Sequence, residues 1–238
     1  MAIKVFKRYE KKYLMNKNKM HLLINDLLKY MNFDAFCDNG KTYTVMNIYY
    51  DTIDNNIIRQ SVMKPYFKEK LRLRKYLGSS NEFLEIKRKT GNIVSKRRIT
   101  LEKDEANNLI EHGIKPTYCD YMQNQVINEI AFFLKCNKVY PKAFISYNRI
   151  ALFGKDNSDF RVTFDTYIKG RTNKLDFDDG IFGRDLISDD DCLMEVKIDG
   201  SIPFWFSNLL SKYQIYPTSF SKYGMEYKYE IKEMKKYA

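Results

Sequence analysis

Apolar side chains Met20, Leu23, Ile24, Leu27, Leu28 and Met31 recur at steps of three and four, so residues 18–31 predict a helix with one core-facing stripe. The same periodicity predicts a helix over 103–112, stopped at Gly113, and another over 122–135, striped by Val126, Ile127, Ile130, Phe133 and Leu134. A fourth begins at Ser201, a natural N-cap, with Pro203 in the first turn and Trp205 as an anchor; its apolar face is Phe206, Leu209, Leu210 and Tyr213. Elsewhere apolar and polar positions alternate. Segments 5–14, 44–52, 67–77, 82–90, 93–101, 142–153, 159–169 and 192–199 are rich in β-branched and aromatic residues and predict strands. Eight strands broken by a few helices predict an α+β fold, an antiparallel barrel, closed or nearly so, with amphipathic helices packed outside. No Gly/Ser/Pro-rich linker or internal repeat divides the chain, which predicts a single domain over residues 1–238.

Successive side chains of a strand point to opposite faces, so each strand sorts by parity. One face collects Arg8, Glu10 and Lys12, then Lys70, Arg72 and Arg74, then Glu85, Lys87 and Lys89. It continues with Lys96 and Arg98, Tyr147 and Arg149, Arg161, Thr163 and Asp165, and Glu195 and Lys197. The other face carries Leu84 and Ile86, then Phe160, Val162 and Phe164, then Met194, Val196 and Ile198. In an ordinary half-exposed sheet the charged face is simply solvated. Two features turn it inward here. The amphipathic helices can cover the apolar faces from outside, and cations crowded on one face repel unless a polyanion lies among them. The expectation is a tunnel lined by Lys and Arg, whose cationic groups match phosphate oxygens, with glutamates able to hold a divalent cation.

Composition narrows the chemistry further. Lys and Arg number 41 against 30 acids, a formal charge of +11 that favours an anionic partner, while 44% hydrophobic and 15% aromatic residues exclude a disordered basic tail. Cys37, Cys119, Cys136 and Cys192 are scattered without a CxxC pair and read as reduced core thiols of a cytoplasmic protein. His21 and His112, each on a predicted helix, read as surface residues, which leaves little material for His-rich metal sites or Ser-His-Asp catalysis. No window approaches the roughly 18 apolar residues of a membrane span, and residues 1–8 lack the apolar core of a leader, so neither export nor spanning is expected. Residues 176–191 hold seven aspartates without EF-hand spacing and predict a solvated acidic loop.

At the charged positions the sequence resembles a known family. The segments Arg8-Tyr9-Glu10-Lys11-Lys12-Tyr13, Tyr50-Asp51-Thr52, Leu71-Arg72-Leu73-Arg74, Phe83-Leu84-Glu85-Ile86-Lys87-Arg88-Lys89 and Lys96-Arg97-Arg98 are similar, in order, to the VTC domain. So are Tyr147-Asn148-Arg149, Arg161-Val162-Thr163-Phe164-Asp165, Met194-Glu195-Val196-Lys197 and Phe220-Ser221-Lys222-Tyr223. This family is the polyphosphate polymerase branch of the triphosphate tunnel metalloenzymes. The resemblance implies an antiparallel tunnel barrel that transfers the γ-phosphoryl group of ATP to a growing polyphosphate chain. It assigns Lys12, Arg72, Arg74, Lys87, Arg149, Arg161 and Lys222 to the phosphate-contacting wall, with Lys96 or Arg98 beside them; parity adds Lys70. Glu195 matches the glutamate that holds Mn²⁺ or Mg²⁺, and Glu10 is the strand-one carboxylate that could assist it.

The departures carry information. Hydrolytic tunnel enzymes resemble one another in a strand-one Glu-x-Glu-x-Lys, whereas this chain reads Arg8-x-Glu10-x-Lys12, which weighs against a simple triphosphatase. Eukaryotic relatives place a second lysine where Ser219 stands, and they carry phosphate-sensing and membrane domains outside the segments matched here. A tunnel triphosphatase and a non-catalytic polyphosphate binder remain alternatives, and a membrane-protein partner stays open. Nucleic acid is not expected as a partner, because single-strand binders set aromatics beside their cations, whereas Phe160, Val162, Phe164, Leu84 and Ile86 lie on the opposite face.

Overall fold

A computed structural model of the chain describes residues 8–237 apart from 38, 39, 64, 92, 118 and 119. Residues 5–7 of the first predicted strand, the Arg8 side chain and Cys119 lie outside the described residues. Each of the eight predicted strands is present: β1 (Arg8–Asn16), β3 (Tyr43–Asp51), β4 (Phe67–Tyr76), β5 (Glu82–Thr90), β6 (Ile93–Leu101), β7 (Tyr140–Gly154), β8 (Arg161–Arg171) and β10 (Asp191–Asp199). They pair antiparallel in the order β1-β10-β8-β7-β3-β4-β5-β6. Three short strands extend the sheet: β2 (Met31–Phe33) on β7, β9 (Arg184–Asp185) on β8 and β11 (Pro217–Thr218) on β1. Two or three residues are too few to show alternation, so the sequence pattern did not reveal them. The sheet curls until its two ends approach, and Glu10 on β1 reaches Lys87 on β5 at 2.9 Å.

Helices cover the outward face in two groups. Helices α1 (Lys17–Leu27) and α5 (Phe204–Lys212) bury Leu23, Leu27 and Phe206 against Val162, Phe164, Met194 and Val196. Helices α3 (Lys103–His112) and α4 (Tyr121–Cys136) bury Leu109, Ile130 and Phe133 against Leu71, Leu73, Leu84 and Ile86. Two further helices were not read from the sequence, α2 (Asn56–Val62) and α6 (Lys222–Tyr237). They cap one end of the barrel, where Ile58 and Tyr223 pack on the inward side chains Val45, Tyr49, Ile145, Tyr147 and Leu193.

Several expectations need correction. The first helix ends at Leu27 rather than Met31; the apolar stripe runs on because Leu28 and Met31 face the same core from a turn and from β2. The fourth starts at Phe204 with Pro203 as the flanking residue, since Gly200 turns left-handed at φ +85° and keeps Ser201 out of the helix. Trp205 does anchor it, stacked on Tyr30 at 4.3 Å. The acidic segment is only partly solvated: Phe177 and Leu186 are buried, and the Arg171 guanidinium donates to the carbonyls of Lys174, Asp176, Gly180 and Phe182. Cys136 is exposed, not a core thiol, whereas Cys37 and Cys192 are buried. His21 and His112 are exposed.

Candidate active site

Among the described residues, the inward face encloses a cavity of about 530 Å³ lined by twelve Lys and Arg side chains and four carboxylates. Every site residue named from the sequence lies on it: Lys12, Lys70, Arg72, Arg74, Lys87, Lys96, Arg98, Arg149, Arg161, Lys222, Glu10 and Glu195. Strand register explains the convergence. Lys12 sits opposite Glu195, Glu10 opposite Lys197, Arg72 opposite Glu85, Lys70 opposite Lys87, and Arg149 opposite Asp165. Lys222 arrives differently, from the first residue of α6 at the capped end.

Three carboxylates organise these cations. Glu85 receives Arg72 at 2.7 Å and Lys96 at 2.6 Å, with Arg74 at 3.7 Å. Asp165 accepts both arms of Arg149, at 2.7 and 2.8 Å, and Lys222 at 2.6 Å. Glu195 lies 3.2 Å from Lys222 and 3.4 Å from Lys12. Burial alone would push these acids up; for Asp165 the neighbouring Arg149 and Lys222, and for Glu85 Arg72 and Arg74, hold the carboxyl below its usual range. Burial likewise opposes ionisation of Glu195 and Glu10, which Lys222 and Lys12, and Lys87 and Lys12, keep ionised. Tyrosine hydroxyls complete the wall: Tyr49 accepts from Arg72 at 3.1 Å and Tyr147 from Arg74 at 3.2 Å. The guanidinium groups are therefore fixed before any anion enters.

Glu10 and Glu195 stand diagonally on β1 and β10, and the buried Thr163 hydroxyl, level with Glu195 on β8, has no hydrogen-bond partner among the described residues. Carboxylate and hydroxyl oxygens fit a hard dication such as Mg²⁺ or Mn²⁺, which keeps water and phosphate oxygens in the rest of its shell. No cluster of three or more His, Cys, Asp or Glu forms a ready metal site among the described residues.

Sequence reasoning left out Asp165, Glu85, Lys197, Tyr49 and Ser221 as parts of the site. Parity had already set Glu85, Asp165 and Lys197 on the charged face; what it could not show was which acids pair with which cations. Ser221 accepts from Lys70 at 3.0 Å, and the Phe220 carbonyl accepts from Lys12 at 3.0 Å, contacts over more than 100 residues that only the fold creates. No described helix is long and apolar enough to cross a membrane.

Comparison with known proteins places this geometry. The family profile described as the VTC domain matches residues 7–231. No curated protein is significantly similar. Among solved structures, a candidate adenylate cyclase from Bacillus halodurans is 16% identical with a TM-score of 0.56, over 90% of this chain and 93% of that one. A candidate adenylyl cyclase from Hippeastrum, described as having a dominant triphosphatase activity, is 15% identical with a TM-score of 0.53, over 93% of this chain and 95% of that one. At these identities the likeness is one of fold.

Proposed function

The chain belongs to the VTC domain family and has the triphosphate tunnel fold, and from that premise we propose that it is a polyphosphate polymerase, transferring the γ-phosphoryl group of ATP to a growing polyphosphate chain. The observation that carries this reading is the preorganised wall of cations around a cavity of about 530 Å³, with so few carboxylates among them. Loose phosphoryl-transfer transition states ask for positioning and positive charge rather than covalent help. Arg72, held by Glu85 and Tyr49, and Arg149, held by Asp165, supply that charge without reorganising. The terminal phosphate of the chain is already ionised near neutral pH, so no general base is needed. Its oxygen forms a bond to the γ phosphorus as the bond to the β-bridging oxygen breaks, and the electron pair leaves with ADP. Glu10 and Glu195 would hold a divalent cation, which would supply charge neutralisation to the phosphates.

Hydrolysis is the second reading, because the fold is shared with the Hippeastrum protein described as a triphosphatase and water could take the place of the chain end. Incubation with ATP and Mn²⁺ followed by gel detection of polymer decides between them. Polymer is expected from the wild type, and none from Arg72→Ala or Glu195→Ala with unchanged circular dichroism. Arg72→Ala leaves Glu85 paired to Lys96 and Arg74, so the fold should persist. Free phosphate without polymer would make the protein a hydrolase, and undiminished synthesis by both variants would remove these residues from the site.

A further inference from the structure

At one end of the tunnel four strands present aromatic inward side chains, which on β4 and β5 follow a charged series. On β4 the series Lys70, Arg72, Arg74 ends in Tyr76; on β5 the positions Lys87 and Glu85 lead back to Phe83. The first inward side chain of β3 is Tyr43, and β7 carries Phe153 beyond Arg149. These positions share an end because β3 and β5 begin where β4 and β7 finish. Their rings form a continuous series: centroids of Tyr43 and Tyr76 are 5.9 Å apart, those of Tyr76 and Phe83 5.6 Å, and Phe36 meets Tyr43 at 6.4 Å. Two wall cations already lie on ring faces here, Arg98 at 4.8 Å over Phe83 and Arg161 at 4.7 Å over Phe153.

Core packing accounts for only part of this rim: Tyr43 and Tyr76 pack against the third apolar cluster. Phe83, Phe153 and Phe36 belong to none of the three apolar cores, and Phe36 is 78% exposed. Half-exposed rings beside arginines offer flat faces to a planar heterocycle. Along β4 the step from Arg74 to Tyr76 is about 7 Å, room for a ribose between the last wall cation and the first ring. We propose that the rim seats the base of a nucleoside triphosphate whose phosphates run down the tunnel, stacked on Phe83 with the Tyr76 ring at its edge and Arg98 between base and phosphates. The inference rests on the phosphate-tunnel reading and adds to it the side chains that would hold the base of its nucleotide donor.

Calorimetric titration of the full chain with ATP and with inorganic triphosphate tests it. Phe83→Ala should weaken ATP about tenfold, the effect of losing one base-stacking ring, and leave inorganic triphosphate unchanged, while Phe83→Trp should retain ATP. Equal weakening of both ligands, or unchanged ATP, overturns the rim as a base site. A measurement on the wild type serves if Phe83→Ala fails to fold: the fluorescence of 2-aminopurine riboside triphosphate should be quenched on binding and restored by excess inorganic triphosphate. Absence of quenching likewise overturns the rim. Failure of the wild type to bind inorganic triphosphate at all would instead overturn the tunnel reading itself.

Discussion

Lys70 donates to the Ser221 hydroxyl and stands among Lys12, Lys87 and Arg72. Burial first, and these cations next, push its ammonium down from the ordinary 10.5 to about 7. A phosphate beside it reverses both effects, so its proton affinity rises on binding. The sign of the pH dependence follows. Below about pH 7 this amine is already charged in the empty tunnel and takes up no proton on binding. Above that, binding draws a proton from solvent and affinity falls as pH rises. Titration with triphosphate at pH 8, in buffers of different ionisation heat, should show net proton uptake that shrinks in Lys70→Met; equal uptake in the variant would locate the proton elsewhere. Asp165, Glu85 and Glu195 sit below the usual carboxylate range and add nothing to this window.

The elements that hold the wall in place are joined tightly. Strand β1 passes into α1 at Asn16, whose side chain accepts from the Lys19 amide at 2.9 Å. Asn16→Ala should cost about 1 kcal/mol, read as a drop of about 2–4 °C in melting temperature for a chain of this size. Triphosphate affinity should not change, because α1 packs on the outward core; a loss of affinity would mean that this helix also sets the register of β1. At the capped end Asp51 does for α2 what no residue within that helix can. Its carboxylate accepts from the Ile57 and Ile58 amides at 2.8 Å each and from the Tyr223 hydroxyl at 3.0 Å, tying α2 to α6. Neither helix has a readable stripe: α2 spans only seven residues, and α6 carries Gly224 in its first turn and faces inward largely with tyrosines.

For the whole molecule, a formal charge of +11 is concentrated where twelve cations line one cavity. Filling it with a polyanion should raise the melting temperature. At about 100 times the dissociation constant the ligand contributes about 2.7 kcal/mol, and the shift should shrink steadily as salt rises, because added salt screens the charges and lowers the gain from releasing counterions. A shift indifferent to salt would show that the anion binds outside this field. What the sequence alone determined is the barrel and its polarity. Period-two alternation is a local property of the chain, so eight strands and the face shared by Arg72, Arg74, Lys87, Arg149, Arg161 and Glu195 could be read directly. Apolar stripes on α1, α3, α4 and α5 said that the other face would be covered. The tertiary structure decided what depends on distant residues meeting. Asp165 clamping Arg149 and Lys222, Glu85 gathering Arg72 and Lys96, α6 closing one end, and Tyr43, Tyr76, Phe83 and Phe153 meeting as a rim all require strand register and curvature. Parity assigns a side chain to a face; only the closed sheet assigns it a neighbour.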